Sequence, residues 1–168
     1  MTLHSKVLIG LMALVLSACT DPGRFGGGGD GAGIGMGGDL GSPSDPTSMA
    51  YFQQTVGDRV LFAVDESTLN AEAKATLEEQ AIWLLANTEY SAVIEGHADE
   101  QGTREYNLGL GARRASAVQE YLISRGVSPA RLRTVTYGKE RPIEICSNES
   151  CYSKNRRAVT VLTVSGMS

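Results

Sequence analysis

The stretch Ser91-Ala92-Val93-Ile94-Glu95-Gly96-His97-Ala98-Asp99-Glu100-Gln101-Gly102-Thr103-Arg104-Glu105-Tyr106-Asn107-Leu108-Gly109-Leu110-Gly111-Ala112-Arg113-Arg114-Ala115 decides how this chain is read. Its first six residues read as a strand, and a helix begins at about Arg104. The helix carries Leu108, Gly111, Ala115, Val118 and Leu122 on one face, and Gly126 fits its C′ stop. Between strand and helix lies a dense run of polar residues. Gly96 and Gly102 permit tight turning there. Asp99 falls just past a strand end, where ligands of open sheets commonly sit. Asn107, Leu110, Gly111 and Arg114 are three, four and seven apart, so they share one helix stripe, and Arg114 can project toward the loop that holds Asp99. An Asp and an Arg so placed have two readings. One is an internal salt bridge that pins loop to helix. The other is a receptor for a zwitterion, with Arg gripping a carboxylate and Asp taking an ammonium.

Working outward, Arg59-Val60-Leu61-Phe62 reads as a short strand. Asn70 is placed as an N-cap before good helix formers. Leu77, Ala81, Leu84 and Leu85 then recur at helical spacing to about Ala86. Ser128-Pro129 starts a short helical turn, with Pro at its favoured first position. Arg133 to Tyr137 and Ala158 to Val164 read as the last strands. The predicted order is β-α-β-α-β-β. It predicts an α+β two-layer sandwich, a mixed sheet with helices on one face and right-handed crossovers. Trp83 and Tyr121 read as packing residues. His97 reads as packed and hydrogen-bonded at the strand end. Of Arg156 and Arg157, one is expected beside an acidic group and the other in solvent. Arg104 and Arg113 read as surface charges.

The front of the chain has a different character. Lys6 precedes an apolar run, Val7 to Leu16, which ends in Leu16-Ser17-Ala18-Cys19. The layout is that of a signal peptide. The run is too short for a bilayer span of about 20 residues. Its last four residues resemble the lipobox of bacterial lipoproteins, which implies cleavage after residue 18 and acylation of Cys19. Removing residues 1–18 leaves about 150, which suits one domain plus a tail. Residues 19–48 are assigned to the lipidated terminus and a glycine-rich tether, and residues 49–165 to the domain. A flexible tether of about 30 residues has an r.m.s. span of roughly 30 Å, and fully stretched it reaches on the order of 100 Å. The formal charge of −4 argues against a nucleic-acid partner. In an exported chain Cys146 and Cys151 are expected to form a disulfide. Two thiols and one distant His make a poor zinc set, so no metal or cofactor is expected.

Gly96-His97-Ala98-Asp99-Glu100-Gln101-Gly102, with Tyr106-Asn107, Leu110-Gly111, Arg114-Ala115 and Val118, resembles the OmpA-like peptidoglycan-binding domain. Phe62-Ala63-Val64-Asp65 resembles that family's first strand ending. Tyr152-Ser153-Lys154-Asn155-Arg156-Arg157-Ala158-Val159 resembles its last motif. The resemblance covers roughly residues 60–164. It implies a non-enzymatic domain that binds the diaminopimelate-containing stem peptide of peptidoglycan. Asp99 would take the ammonium and Arg114 the carboxylate. Asn107 and Leu110 would support them, and Phe62 and Asp65 would form part of the pocket wall. The family usually has Thr at the position of Ala98, and many members have Arg at that of Gln101. Anchor, tether and motifs together resemble the outer-membrane lipoproteins of this family. That implies an anchor facing the periplasm, with a TolB-like periplasmic propeller and a TolA-like protein as partners. The alternatives are a wall-binding lipoprotein of the same fold outside the Tol system, a wall hydrolase using Asp99, Glu100 or Glu105, and a structural partner-binding module of the same fold.

Thr20 follows the acylation site, and Asp, the residue associated with inner-membrane retention, is absent there. Several acyl chains make a stable anchor where one does not. Density-gradient fractionation should therefore recover the protein with outer membrane, and Cys19→Ser should release it from membranes. Recovery with inner membrane, or a membrane-bound Cys19→Ser protein, would contradict this.

Overall fold

The computed structural model describes residues 40–164; the signal segment and Cys19 lie outside the described residues. Four strands form one mixed sheet: β1 (Arg59–Leu61), β2 (Tyr90–His97), β3 (Leu132–Gly138) and β4 (Arg157–Val164), in the spatial order β1-β4-β2-β3. β4 pairs antiparallel with β1 and with β2, and β2 pairs parallel with β3. The expected α+β sandwich is the one found, with the last strand inserted between the first two.

Two long helices cover one face. α2 (Ala71–Ala86) starts where Asn70 accepts a hydrogen bond from the Ala73 N–H. α3 (Arg104–Ser124) starts at Thr103, whose hydroxyl accepts from the Tyr106 N–H. Each cap satisfies an otherwise orphan donor. Past the end of α3, Gly126 adopts φ +98°, a conformation that suits glycine. Leu77 and Leu84 of α2, Val118 and Leu122 of α3, and Ile94 and Leu132 of the sheet form the core with Phe52 and Val60. Full burial of such side chains stabilises by about 1.5–3 kcal/mol each. Leu85, grouped with the core by spacing, is 46% exposed. The buried Gln80 is bonded through both ends of its amide: it donates to the Gly57 carbonyl and accepts from the Thr160 hydroxyl.

Three elements were not anticipated. A short α1 (Met49–Tyr51) continues into a π-helical turn, Phe52–Gly57, and α4 (Glu149–Asn155) precedes β4. Residues 42–48, assigned to the tether on composition, are bonded to the domain. The Pro46 carbonyl accepts from the Trp83 indole at 2.7 Å, and the Thr47 carbonyl from the Tyr90 hydroxyl at 3.2 Å. The chain thus enters the domain beside the start of β2. The polar loop leaves the other end of β2, about 23 Å away at about 3.3 Å per residue.

Strand and helix meet closely at Gly96 and Gly111. A Cβ on Gly96 would lie 1.9 Å from the Gly111 carbonyl oxygen, and one on Gly111 would lie 2.4 Å from the Thr136 hydroxyl. This approach seats the first half of α3 against the end of β2. A register shift between Gly96 and His97 in the β2–β3 ladder then redirects the chain into the loop.

His97 is 1% exposed, and neither ring nitrogen has a hydrogen-bond partner among the described residues. It packs beside Tyr137, and its Nε2 is 3.6 Å from a Glu95 oxygen. The expected hydrogen bond is therefore absent. Burial, then Arg157 and Arg141, pull its pKa down to about 4. At neutral pH the ring is uncharged and the Glu95 contact is no ion pair.

Two outcomes follow. Gly96→Ala should destabilise the domain by about 3 kcal/mol, the upper end of overpacking costs, because backbone atoms must move; urea unfolding checks this, and a wild-type midpoint would contradict it. His97 has a folded pKa below its unfolded value of about 6.5, so only the unfolded state gains a proton between those values. Stability should fall by about 3 kcal/mol as pH drops from 6.5 through 4, at about 1.4 kcal/mol per unit. An NMR titration of the His97 ring with a midpoint near 6.5 would contradict this.

Candidate ligand-binding groove

The loop after β2, residues 98–103, is tied down from several sides. Asn107 donates its amide to the carbonyls of Asp99 at 3.3 Å and Gln101 at 2.7 Å. Lys139 donates to the Gly102 carbonyl at 2.8 Å, and Asn155 to a Glu100 carboxylate oxygen at 2.8 Å. Asp99 accepts from the Gln101 N–H at 3.2 Å, an Asx turn that fixes its side chain. Gly102 turns the chain at φ +88°.

Beside this loop lies a groove of about 200 Å³, lined by Val64, Asp65, Asp99, Gln101, Gly102, Tyr106, Asn107, Leu110 and Arg114. Asp99 is 7% exposed and Arg114 0%. The helix stripe read from the sequence therefore does bring Asn107, Leu110 and Arg114 to the loop of Asp99. Phe62 is not in the lining; it is buried behind, with its ring 5.1 Å from the Arg114 guanidinium carbon. Asp65 is at the rim in a left-handed conformation, φ +58°, and accepts a hydrogen bond from the Tyr106 hydroxyl. Asp tolerates that region better than most residues.

The internal salt bridge considered between Asp99 and Arg114 is not the one formed. Arg114 donates to three carbonyls: Glu66 at 2.7 Å, His97 at 2.8 Å and Ala63 at 3.2 Å. Of its five N–H groups, two are left without a described partner. Burial pulls its pKa down to about 10; Asp99 and Asp65 oppose this, while Arg156 adds to it. It remains a cation at neutral pH, desolvated and bonded only to neutral oxygens.

Asp99 instead pairs with Arg156, Nη1 to Oδ2 at 3.0 Å, both side chains nearly inaccessible. Arg156 also donates Nε to the Phe62 carbonyl at 3.1 Å, and both terminal nitrogens to Glu149. Burial opposes its charge, but Glu149 and Asp99 outweigh that and its pKa is raised. Arg157 is buried as well, 4% exposed, with its guanidinium on the carbonyls of Asn155 and Arg141. The expectation of a solvated arginine is thus corrected. Arg156 is the arginine beside acidic groups, and its contact with Asp99 brings it to the groove, where the sequence analysis did not place it. Its only signal was its place in the last motif. Arg104 and Arg113 are exposed, as expected.

Cys146 and Cys151 form the expected disulfide. Among the described residues, no three His, Cys, Asp or Glu side chains converge to hold a metal, and no helix is long and apolar enough to cross a membrane. A second groove, about 180 Å³ between the free edge of β1 and α2, contains no buried charge.

Chemically, the site sets a fixed carboxylate beside a desolvated guanidinium with donors to spare. Such a pair accommodates a ligand group that carries both an ammonium and a carboxylate.

The OmpA family model matches residues 61–156. A protein of Rhizobium meliloti named peptidoglycan-associated lipoprotein is 49% identical over 97% of this chain and 90% of its own length. One of the same name from Brucella melitensis is 45% identical over 97% and 95%. The crystal structure of the peptidoglycan-associated lipoprotein from Burkholderia pseudomallei superposes with a TM-score of 0.64 at 34% identity, over 72% of this chain and 98% of that one. The C-terminal domain of Helicobacter pylori MotB shares the fold, with a TM-score of 0.60 at 22% identity over 65% and 86%. The chain belongs to the OmpA family and, within it, to the peptidoglycan-associated lipoproteins.

Proposed function

We propose that this protein is a non-enzymatic tether that binds peptidoglycan without a covalent bond and joins it to the outer membrane. The ligand is the diaminopimelate-containing stem peptide, held in the groove of Asp99 and Arg114. One observation carries this reading: the Arg114 guanidinium is fully buried at the groove yet bonded only to carbonyls. A ligand carboxylate would supply the counter-charge that the fold withholds. Asp99 keeps a carboxylate close by for the ammonium, and the apolar Leu110 contacts the stem between them. Asn107 fixes the loop, Asp65 forms the rim and Phe62 backs Arg114.

The relatives' name supports the ligand class. The position of the chain entry supports the mechanical role. Attached to the membrane through Cys19, the domain would be held at the start of β2 and would present its groove at the other end. In this reading the protein serves envelope integrity and cell division within the Tol–Pal system, with a TolB-like propeller and a TolA-like protein as partners. A hydrolase reading has less support: Asp99 is ion-paired with Arg156 and Glu100 accepts a hydrogen bond from Asn155, so both serve to hold the loop.

Each charge-assisted hydrogen bond contributes roughly 1.5–3 kcal/mol, and ordering the ligand offsets part of it. A single groove should therefore bind weakly to moderately, with many tethered copies raising retention through effective concentration. Calorimetric titration with a diaminopimelate muropeptide should show Asp99→Asn weakened about tenfold or more, about 1.4 kcal/mol per decade, with Arg113→Ala far less affected. A muropeptide with lysine for diaminopimelate, lacking the second carboxylate, should bind similarly weakly. Equal affinities across proteins and peptides would overturn the reading. Arg114→Ala should lose binding and also stability, since it removes the donors to three carbonyls, that of His97 buried; circular dichroism separates the two losses.

A further inference from the structure

We propose that Glu149 is a positioning residue of the groove: by occupying Arg156, it leaves the Asp99 carboxylate available to a cationic ligand group. The inference rests on the groove reading above.

Asp99 lies among cations. Arg156 contacts it at 3.0 Å, and Arg114 lines the same groove. Two guanidiniums around one carboxylate would present an approaching ammonium with a net positive surface. The Arg156 side chain is only 5% exposed, so water cannot screen its charge well. Glu149 supplies the missing anion: one oxygen takes Nη2, and the other lies 3.4 Å from Nη1, the nitrogen that also serves Asp99. The set Asp99, Arg114, Arg156 and Glu149 then has as many anions as cations. Both Asp99 oxygens keep lone pairs beyond their bonds to Arg156 and the Gln101 N–H.

Glu149 itself is 64% exposed, and an ordinary exposed ion pair contributes little. Here one partner is buried, and the carboxylate is held by a braced element. Glu149 is the first residue of α4, after the N-cap Asn148, whose side chain accepts from the Ser150 N–H at 3.0 Å. The Cys146–Cys151 disulfide joins the lead-in of α4 to its first turn. At the far end Asn155 accepts from the Ile143 N–H and donates to Glu100 in the groove loop. The hydrogen bond from Arg156 in turn holds the Glu149 pKa below the ordinary carboxylate value.

The test compares two muropeptides on the mature lipidated chain in detergent. One carries diaminopimelate; the other carries 2-aminopimelate, which keeps the side-chain carboxylate but lacks the ammonium. Wild-type protein should prefer the first. Glu149→Gln should weaken the first about tenfold and the second less than twofold, so the preference collapses. Glu149→Asp should retain part of it, and the Cys146→Ser/Cys151→Ser protein should lose part of it. An unchanged preference in Glu149→Gln, whether both affinities stay or fall together, would overturn the proposal. Asp99→Asn separates the two levels. If it abolishes the preference while Glu149→Gln does not, only the role of Glu149 fails; if it leaves the preference intact, the groove reading fails with it.

Discussion

The site depends on one buried cation. Arg114 projects from the middle of α3 and donates to the carbonyls of Ala63 and Glu66, after β1, and of His97, at the end of β2. Those segments have no ladder between them, because β4 lies between β1 and β2. The guanidinium therefore does locally what strand pairing cannot do at that end of the sheet. Desolvating a charge costs several kcal/mol unless good partners surround it. Carbonyl dipoles offset part of that cost, while burial still pulls the guanidinium pKa down. On the proposed reading, these neutral acceptors leave the place of a counter-ion to an anion from outside.

Arg156 makes the complementary arrangement. It reaches the neighbouring carbonyl, Phe62, and is paired directly with Asp99 and Glu149. Two arginines thus grip consecutive parts of the segment after β1, one with neutral partners and one with charged ones. The same contacts that order the β1–α2 connection also place the Asp99 carboxylate. Fold and site share these bonds, so their energies are not additive. The close approach of Gly96 to Gly111 is what allows it, since a helix seated further from the sheet would withdraw Arg114 from the His97 carbonyl.

Much of this was legible in the sequence, for local reasons. Asn70 and Gly126 act within a few residues of themselves, so those helix ends followed from chemistry that spacing reveals. The stripe Asn107, Leu110, Arg114 is helical geometry, and a strand end followed by a polar loop is a local pattern. What was not legible depends on distant pairing. Arg156 meets Asp99 across 57 residues, and only the insertion of β4 beside β2 brings them together. The docking of Pro46 on Trp83 hid in a stretch whose composition reads as linker. α4 is seven residues with few apolar positions, too short for periodicity to declare. His97 was misread because polar residues at strand ends usually find partners; its neighbours among the described residues offer none in range.

The central claim is that Arg114 is kept as a buried cation for a ligand carboxylate while Asp99 is kept for the ammonium. The most direct measurement is a crystal structure of the protein with a diaminopimelate stem peptide bound. The account predicts the ligand carboxylate on the uncommitted N–H groups of Arg114 and the ammonium on Asp99, each at about 3 Å, with the three carbonyl bonds of Arg114 retained. A peptide seated in the groove between β1 and α2, or an Arg114 turned onto Asp99 with the ligand elsewhere, would contradict it.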